Sequence, residues 1–212
     1  MQKNIYLFLF FILAGLVSNA QISKGSILLG GAVEFNSQKT TYMASPTNAF
    51  TSSAVSLSPS IGKAVKDNFI IGIDLSYGHA QSDNQAACGT ENIKIDSYGL
   101  GFFLRQYFPL GKGFSLFTQE ELGGSHSQTK ENGIVTTKST MLSMTFFPGI
   151  AYAVSHRLQF ELGLVNFFFF DYSHNKSGDD VTGYKSNTFS AGTGLTNNLQ
   201  NMDIGCKFLL GH

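Results

Sequence analysis

Residues 98–124, YGLGFFLRQYFPLGKGFSLFTQEELGG, leave few folds open to the chain. Ahead of the turn at 109–113 (PLGKG), Tyr98, Leu100, Phe102, Leu104 and Phe108 share one parity. Ser97, Gly99, Gly101, Phe103, Arg105 and Tyr107 share the other. Successive side chains of a β-strand point to opposite faces. The stretch therefore reads as a strand with large apolar groups on one side and mostly glycine, serine and arginine on the other. That is inside-out for a soluble sandwich. It suits a strand with lipid outside and a narrow polar barrel inside.

The same period recurs along the chain. Residues 26–36 alternate Ile27, Leu29, Gly31, Val33, Phe35 with Leu28, Gly30, Ala32, Glu34, Asn36. Next, Val55, Leu57, Pro59 and Ile61 oppose Ser56, Ser58, Ser60 and Gly62; Pro59 removes a ladder donor and predicts a bulge or weak pairing. The third strand sets Phe69, Ile71, Ile73, Leu75 and Tyr77 against Ile70, Gly72, Asp74, Ser76 and Gly78. The opening hairpin supplies the fourth and fifth strands. A sixth covers 142–154 and a seventh 158–172, ending in the aromatic run 167–170. An eighth fills 188–210, with a bend expected around Asn197 and Asn198.

The connections alternate as strictly as the side chains. Long polar segments at 37–53, 79–92, 125–138 and 173–187 take turns with short ones at 63–68, 109–113 and 155–157. An even-stranded barrel in an outer membrane has short turns on one side and long loops on the other. Eight strands that start and finish on the short-turn side require four long connections and three short ones. The predicted fold is therefore all-β: an eight-stranded antiparallel up-and-down transmembrane barrel. Strands of 9–11 tilted residues suffice to cross a bilayer, and Tyr77, Phe108, Tyr152, 168–170 and Tyr172 would form interfacial aromatic girdles.

Ahead of the strands, Lys3, the apolar run at 5–17 (IYLFLFFILAGLV) and the small residue Ala20 read as a secretory signal over residues 1–20. The run is shorter than a spanning helix needs. The barrel domain is then 21–212. Only 13% of residues are charged, a low fraction for a water-facing surface, and the formal net charge is zero, so nothing points to nucleic acid. Cys88 and Cys206 fall near opposite rims of this topology and are expected to remain unpaired. Their spacing matches no zinc or haem motif, and no cofactor or metal is expected.

The residues 103–111, FLRQYFPLG, resemble an aromatic-rich hairpin of the small outer-membrane β-barrel family, the OmpA/OmpX-like barrels of Gram-negative bacteria. Residues 117–124, 148–152 (PGIAY) and the strand-like end at 204–210 are similar as well, so the resemblance covers the mature chain. It implies residence in the outer membrane, contact with its lipids and lipopolysaccharide, and passage through the outer-membrane assembly machinery. Two features depart from the family. Four residues follow Phe208, where an aromatic usually ends the chain, and Glu120 beside Glu121 puts one acid on the lipid side. A bulge near 119–121, or a polar neighbour for Glu120, is the expected remedy. No peptidoglycan-binding domain follows, so an anchoring role is not implied.

With the apolar faces outward, Glu34, Asp74, Arg105, Glu121, Glu161 and Lys207 point inward. Charges in so narrow a space must be paired and hydrogen-bonded. Counting from Lys112 as the turn centre puts Arg105 opposite Gln119 and diagonal to Glu121, so a cluster around Arg105, with Glu121 and nearby acids, is expected. It would fill the barrel rather than line a channel. Catalysis is not expected. Ser125, His126 and Ser127 alternate faces and make a poor triad, and no G-x-S-x-G occurs. The alternatives are a lipid A-modifying barrel and a lipocalin-like carrier. The second would need apolar groups inside, where this chain has Gly, Ser and Ala. The polar loops are the places for a surface-recognition or adhesion role and an extracellular ligand.

Overall fold

A computed structural model describes residues 22–42, 45–86, 89–164, 167–178, 183–193 and 202–211. The signal segment, Cys88 and the bend expected at 197–198 lie outside the described residues. The described residues form ten strand segments: β1 Ile27–Tyr42, β2 Ser45–Lys66, β3 Phe69–Ala86, β4 Gly89–Gly111, β5 Phe114–Glu131, β6 Ile134–Ala153, β7 Leu158–Leu164, β8 Phe168–Ser177, β9 Tyr184–Gly192 and β10 Met202–Leu210.

The segments make eight staves. β7 and β8 both pair with β6, one beyond the other along its length, and form the seventh stave. β10 pairs with β7 and β9 with β8, forming the eighth. Every pairing is antiparallel between chain neighbours until β10 returns to β1, where Ile27, Leu28 and Leu29 face Leu210, Leu209 and Phe208. The sheet is closed, an eight-staved up-and-down barrel.

The alternation decides which face turns out. Leu100, Phe102, Leu104, Ile71, Ile73, Leu75, Leu142, Met144 and Phe170 are exposed on the outer wall. Inside, at the short-turn end, Leu28, Ala64, Ile70, Phe103, Tyr107, Phe117 and Ala151 are buried. Glycine makes room for the large inward rings. A Cβ on Gly72 would overlap Phe103, and one on Gly149 would overlap Phe117. The segment ahead of β1 closes this end: Ile22 is buried, its N–H donates to Asn68 Oδ1 at 3.0 Å, and its carbonyl accepts from Asn68 N at 2.8 Å.

The turns are set by left-handed residues. Lys112 (φ 53°) and Gly113 (φ 81°) carry the turn between β4 and β5; Asn132 (φ 50°) and Gly133 (φ 84°) carry the one between β5 and β6. The second pair is the Asn-Gly sequence favoured in two-residue hairpins.

Two sequence expectations are corrected. The long polar segments are largely strand, not loop: β3 continues to Ala86 and pairs there with Gly89 of β4, and β5 and β6 pair up to Glu131 and Ile134. Beyond the lipid neither face must be apolar, so the period fades while the ladder continues. Of the two remedies expected for Glu120, the bulge is absent. The ladders from β5 to β4 and β6 run through 119–121 without a shift, and Glu120 faces outward between Leu104 and Phe146. At Pro59 the β2–β1 ladder keeps its register, while pairing to β3 lapses between Leu57 and Ser60.

Candidate functional site

The polar interior is built where β4, β5 and β7 bring their inward parity together. Arg105 Nη1 donates to both carboxylate oxygens of Glu161, each at 2.7 Å. The same nitrogen donates to Tyr107 Oη at 3.1 Å, and Arg105 Nε donates to Gln119 Oε1 at 2.6 Å. Tyr107 Oη in turn donates to Glu161 Oε1 at 2.8 Å. Gln159 Nε2 donates to Tyr107 Oη and to Glu161 Oε1, both at 2.7 Å. Arg105 is 4% exposed and Glu161 6%. Both charges have left water, so their hydrogen bonds must replace hydration. The guanidinium also lies over the Phe117 ring, with Cζ 4.7 Å from its centroid.

Glu121 takes a different place from the one expected. Arg105 is opposite Gln119, but its ion-pair partner is Glu161 on β7, and Glu121 joins only through Gln119 Nε2, which donates to Glu121 Oε2 at 3.1 Å. The reason is geometric. The diagonal neighbour on β5 shares a wall with Arg105, whereas β7 presents its carboxylate across the narrow interior. A cavity of about 690 Å³ touches Asp74, Arg105, Glu121, Glu161 and Lys207. Asp74 Oδ2 is buried there without a hydrogen-bond donor among the described residues. The Lys207 stem lies against Gly30. Glu34 stands apart: it lines a second cavity of about 520 Å³ and accepts from Ser56 Oγ at 3.4 Å.

Charge alone marked six inward residues and missed the neutral half of the network. Tyr107, Gln119 and Gln159 are buried and supply much of its hydrogen bonding. Their parity along the strands was the signal that placed them inside.

On the outer face, beyond the tilted ring pair Tyr77–Tyr98, lies a second polar group. His79 Nδ1 is 2.6 Å from Asp96 Oδ1, and Lys130 Nζ donates to Asp96 Oδ2 at 3.2 Å. The hydrogen bond with His79 and then that with Lys130 hold the Asp96 carboxyl below the usual carboxylate range. Among the described residues no serine hydroxyl is hydrogen-bonded to His79. His126 Nδ1 lies 3.1 Å from Thr140 Oγ1 on the outer face, while Ser125 and Ser127 have inward parity. A nucleophile and its base do not converge at either histidine. Among the described residues no cluster of His, Cys, Asp and Glu could hold a metal ion.

No family model matches the sequence, and no curated protein does. Solved structures are similar in shape. The outer membrane protein OprG from Pseudomonas aeruginosa superposes with a TM-score of 0.50 at 12% identity, over 92% of this chain and 100% of that one. The fold is that of the small outer-membrane β-barrels. Neisserial surface protein A is also similar, with a TM-score of 0.45 and 14% identity over 87% of this chain and 97% of its own. At these identities the likeness is one of fold. The outer-membrane barrel architecture agrees with the apolar wall and polar interior described above.

Proposed function

We propose that the protein is an integral barrel of the Gram-negative outer membrane, with an interior closed by side chains, that acts structurally and in surface recognition through its projecting hairpins. The observation that carries this reading is the pairing of an apolar outer wall with the buried Arg105–Glu161 network: lipid outside, a hydrogen-bonded ion pair across the narrow interior. Residues 1–20 are its export signal and 21–212 its barrel. Its surroundings are outer-membrane lipid and lipopolysaccharide, and the assembly machinery inserts it. The strand pairs β1–β2, β3–β4, β5–β6 and β8–β9 extend beyond the aromatic residues and offer polar surface to an extracellular ligand.

Fractionation of cells tests the placement: the mature protein is expected in the outer membrane, and recovery in the soluble periplasm would overturn the reading. Recognition is tested by exchanging the ends of the hairpins for short Asn-Gly turns and measuring binding of the cells to host and bacterial surfaces. Loss of binding with an unchanged amount of folded barrel supports recognition, and unchanged binding leaves the structural role alone.

A further inference from the structure

Far from the short-turn end, lysines recur on the outer wall at one fixed spacing from its last ring of large side chains. Tyr98 on β4, Leu142 on β6, Tyr172 on β8 and Phe189 on β9 are exposed there. Tyr172 stands opposite both Leu142 and Phe189, and His126 on β5 stands opposite Tyr98. Four residues further along each strand, away from the short-turn end, come Lys94, Lys130, Lys138, Lys176 and Lys185. Four is an even step in a β-strand, so all five lysines share the outward face with the rings. Lys138 and Lys185 are exposed, and the other three are half-buried along their stems.

The lysines also face one another. Lys94 and Lys130 are direct cross-strand partners, as are Lys138 and Lys176, and Lys176 and Lys185. Like charges directly opposite repel. Asp96 offsets part of this charge, accepting from Lys130 Nζ at 3.2 Å and lying 2.6 Å from His79 Nδ1. On the other four strands the outward residues between the ring and the lysines are Gln128, Thr140, His174 and Asn187, none of them acidic. Glu91 and Glu131 have the inward parity of Ser97 and Ser127. Among the described residues, this face of five adjacent staves therefore carries five cations against one carboxylate.

Its height selects the anion. Exposed aromatic side chains of a membrane protein sit at the level of the lipid headgroups. Four residues along a strand tilted by 35–45° rise about 10 Å above them. A glycerophospholipid ends near the ring level. The sugars of lipopolysaccharide continue above it and carry phosphate and carboxylate groups alongside the wall. Basic clusters next to a membrane are drawn to such anionic headgroups.

We infer that Lys94, Lys130, Lys138, Lys176 and Lys185 form a binding surface for the anionic sugar headgroup of outer-leaflet lipopolysaccharide. Phosphate and carboxylate groups lying between the strands relieve the repulsion of the facing lysines. The inference rests on the barrel standing in the outer membrane, and the two fail in different ways. A protein absent from that membrane contradicts the placement; an inserted barrel whose lipopolysaccharide binding ignores these lysines contradicts only the site.

Titration of the refolded mature barrel in detergent micelles with lipopolysaccharide tests it. The triple variant Lys138→Gln, Lys176→Gln, Lys185→Gln is expected to bind about tenfold more weakly or worse. Lys24→Gln, Lys63→Gln, Lys66→Gln removes the same charge at the short-turn end and should bind as the unsubstituted protein does. Phosphatidylglycerol, whose phosphate lies at the ring level, should show no dependence on the first three lysines. Lipopolysaccharide should raise the midpoint of the heat-induced gel shift for the unsubstituted protein and not for the first variant. The same gel shift reports that each variant is folded. Lipopolysaccharide binding as before in the folded first variant would overturn the proposal, as would an equal loss in the second. Phosphatidylglycerol binding with the same dependence on these lysines would overturn it too. So would binding to the unsubstituted protein that is indifferent to salt, a measurement that requires no variant.

Discussion

Arg105 and Glu161 meet across the interior with one guanidinium nitrogen 2.7 Å from each carboxylate oxygen, although their strands, β4 and β7, are not neighbours in the sheet. The contact ties opposite parts of the wall together. It exists because the inward parity of both strands delivers long polar side chains to a region otherwise lined by Phe103, Tyr107 and Phe117. Replacing Arg105 with Met leaves Glu161 buried and uncompensated, a loss expected to cost about 3–5 kcal/mol. The midpoint of the heat-induced gel shift should fall clearly. Arg105→Met combined with Glu161→Leu removes both charges, and its midpoint should lie closer to that of the unsubstituted protein than either single variant does. A double variant as weak as the sum of the singles would mean that the pair is not the centre of the network.

Tyr107 is expected to matter through its hydroxyl rather than its ring. That oxygen accepts from Gln159 and Arg105 and donates to Glu161. Tyr107→Phe keeps the contact with Phe117 (centroids 5.8 Å) but strands those partners. A loss of about 1–3 kcal/mol is expected, read by urea unfolding in detergent. Adding Gln159→Leu, which removes one of the stranded donors, should make the hydroxyl deletion less costly than it is alone.

Most of the barrel was legible because lipid imposes a strict rule on one face of each strand. From Tyr98 to Phe108 the outward residues are apolar but for Gln106, so parity alone assigned Arg105 and Tyr107 to the interior. The rule lapses in three places. Beyond the bilayer, residues such as 79–86 and 125–131 need not alternate in polarity, so ladders there read as loops. Inside the barrel, partner choice depends on the third dimension: strand counting put Arg105 opposite Gln119 correctly, but could not bring β7 and Glu161 across to it. Around Glu120 the sequence showed a conflict, and the regular ladder shows that the backbone does not resolve it.

The acid limit of the outer polar group follows from the Asp96 shift. Its hydrogen bonds to His79 and Lys130 depress the folded carboxyl value. Protons therefore bind more readily to the unfolded form. The contribution of Asp96 is present in full above the ordinary carboxylate value of about 4 and is lost as pH falls through the lower folded value. Amide exchange in the β3–β4 hairpin beyond Tyr77 and Tyr98 should quicken in that acid window in the unsubstituted protein. In Asp96→Asn the same amides should exchange faster already at neutral pH and show a weaker acid dependence.

Gly149 is expected to tolerate no side chain while Phe117 remains. It lies opposite Phe117 in the β5–β6 ladder and opposite Gly163 in the β6–β7 ladder, and the inward Phe117 ring fills the space its Cβ would take. The Leu162 carbonyl oxygen, 2.6 Å from that Cβ position, is backbone and cannot turn aside as a side chain can. Gly149→Ala should therefore lower stability by about 1–3 kcal/mol through overpacking and shift the Arg105 guanidinium, which rests on the same ring. Phe117→Leu shortens the side chain and relieves the ring overlap but not the carbonyl contact. Partial recovery of the gel-shift midpoint in Gly149→Ala, Phe117→Leu, relative to Gly149→Ala alone, is the expected result. Full recovery would place the whole conflict on the ring, and none would place it on the β6–β7 backbone contact.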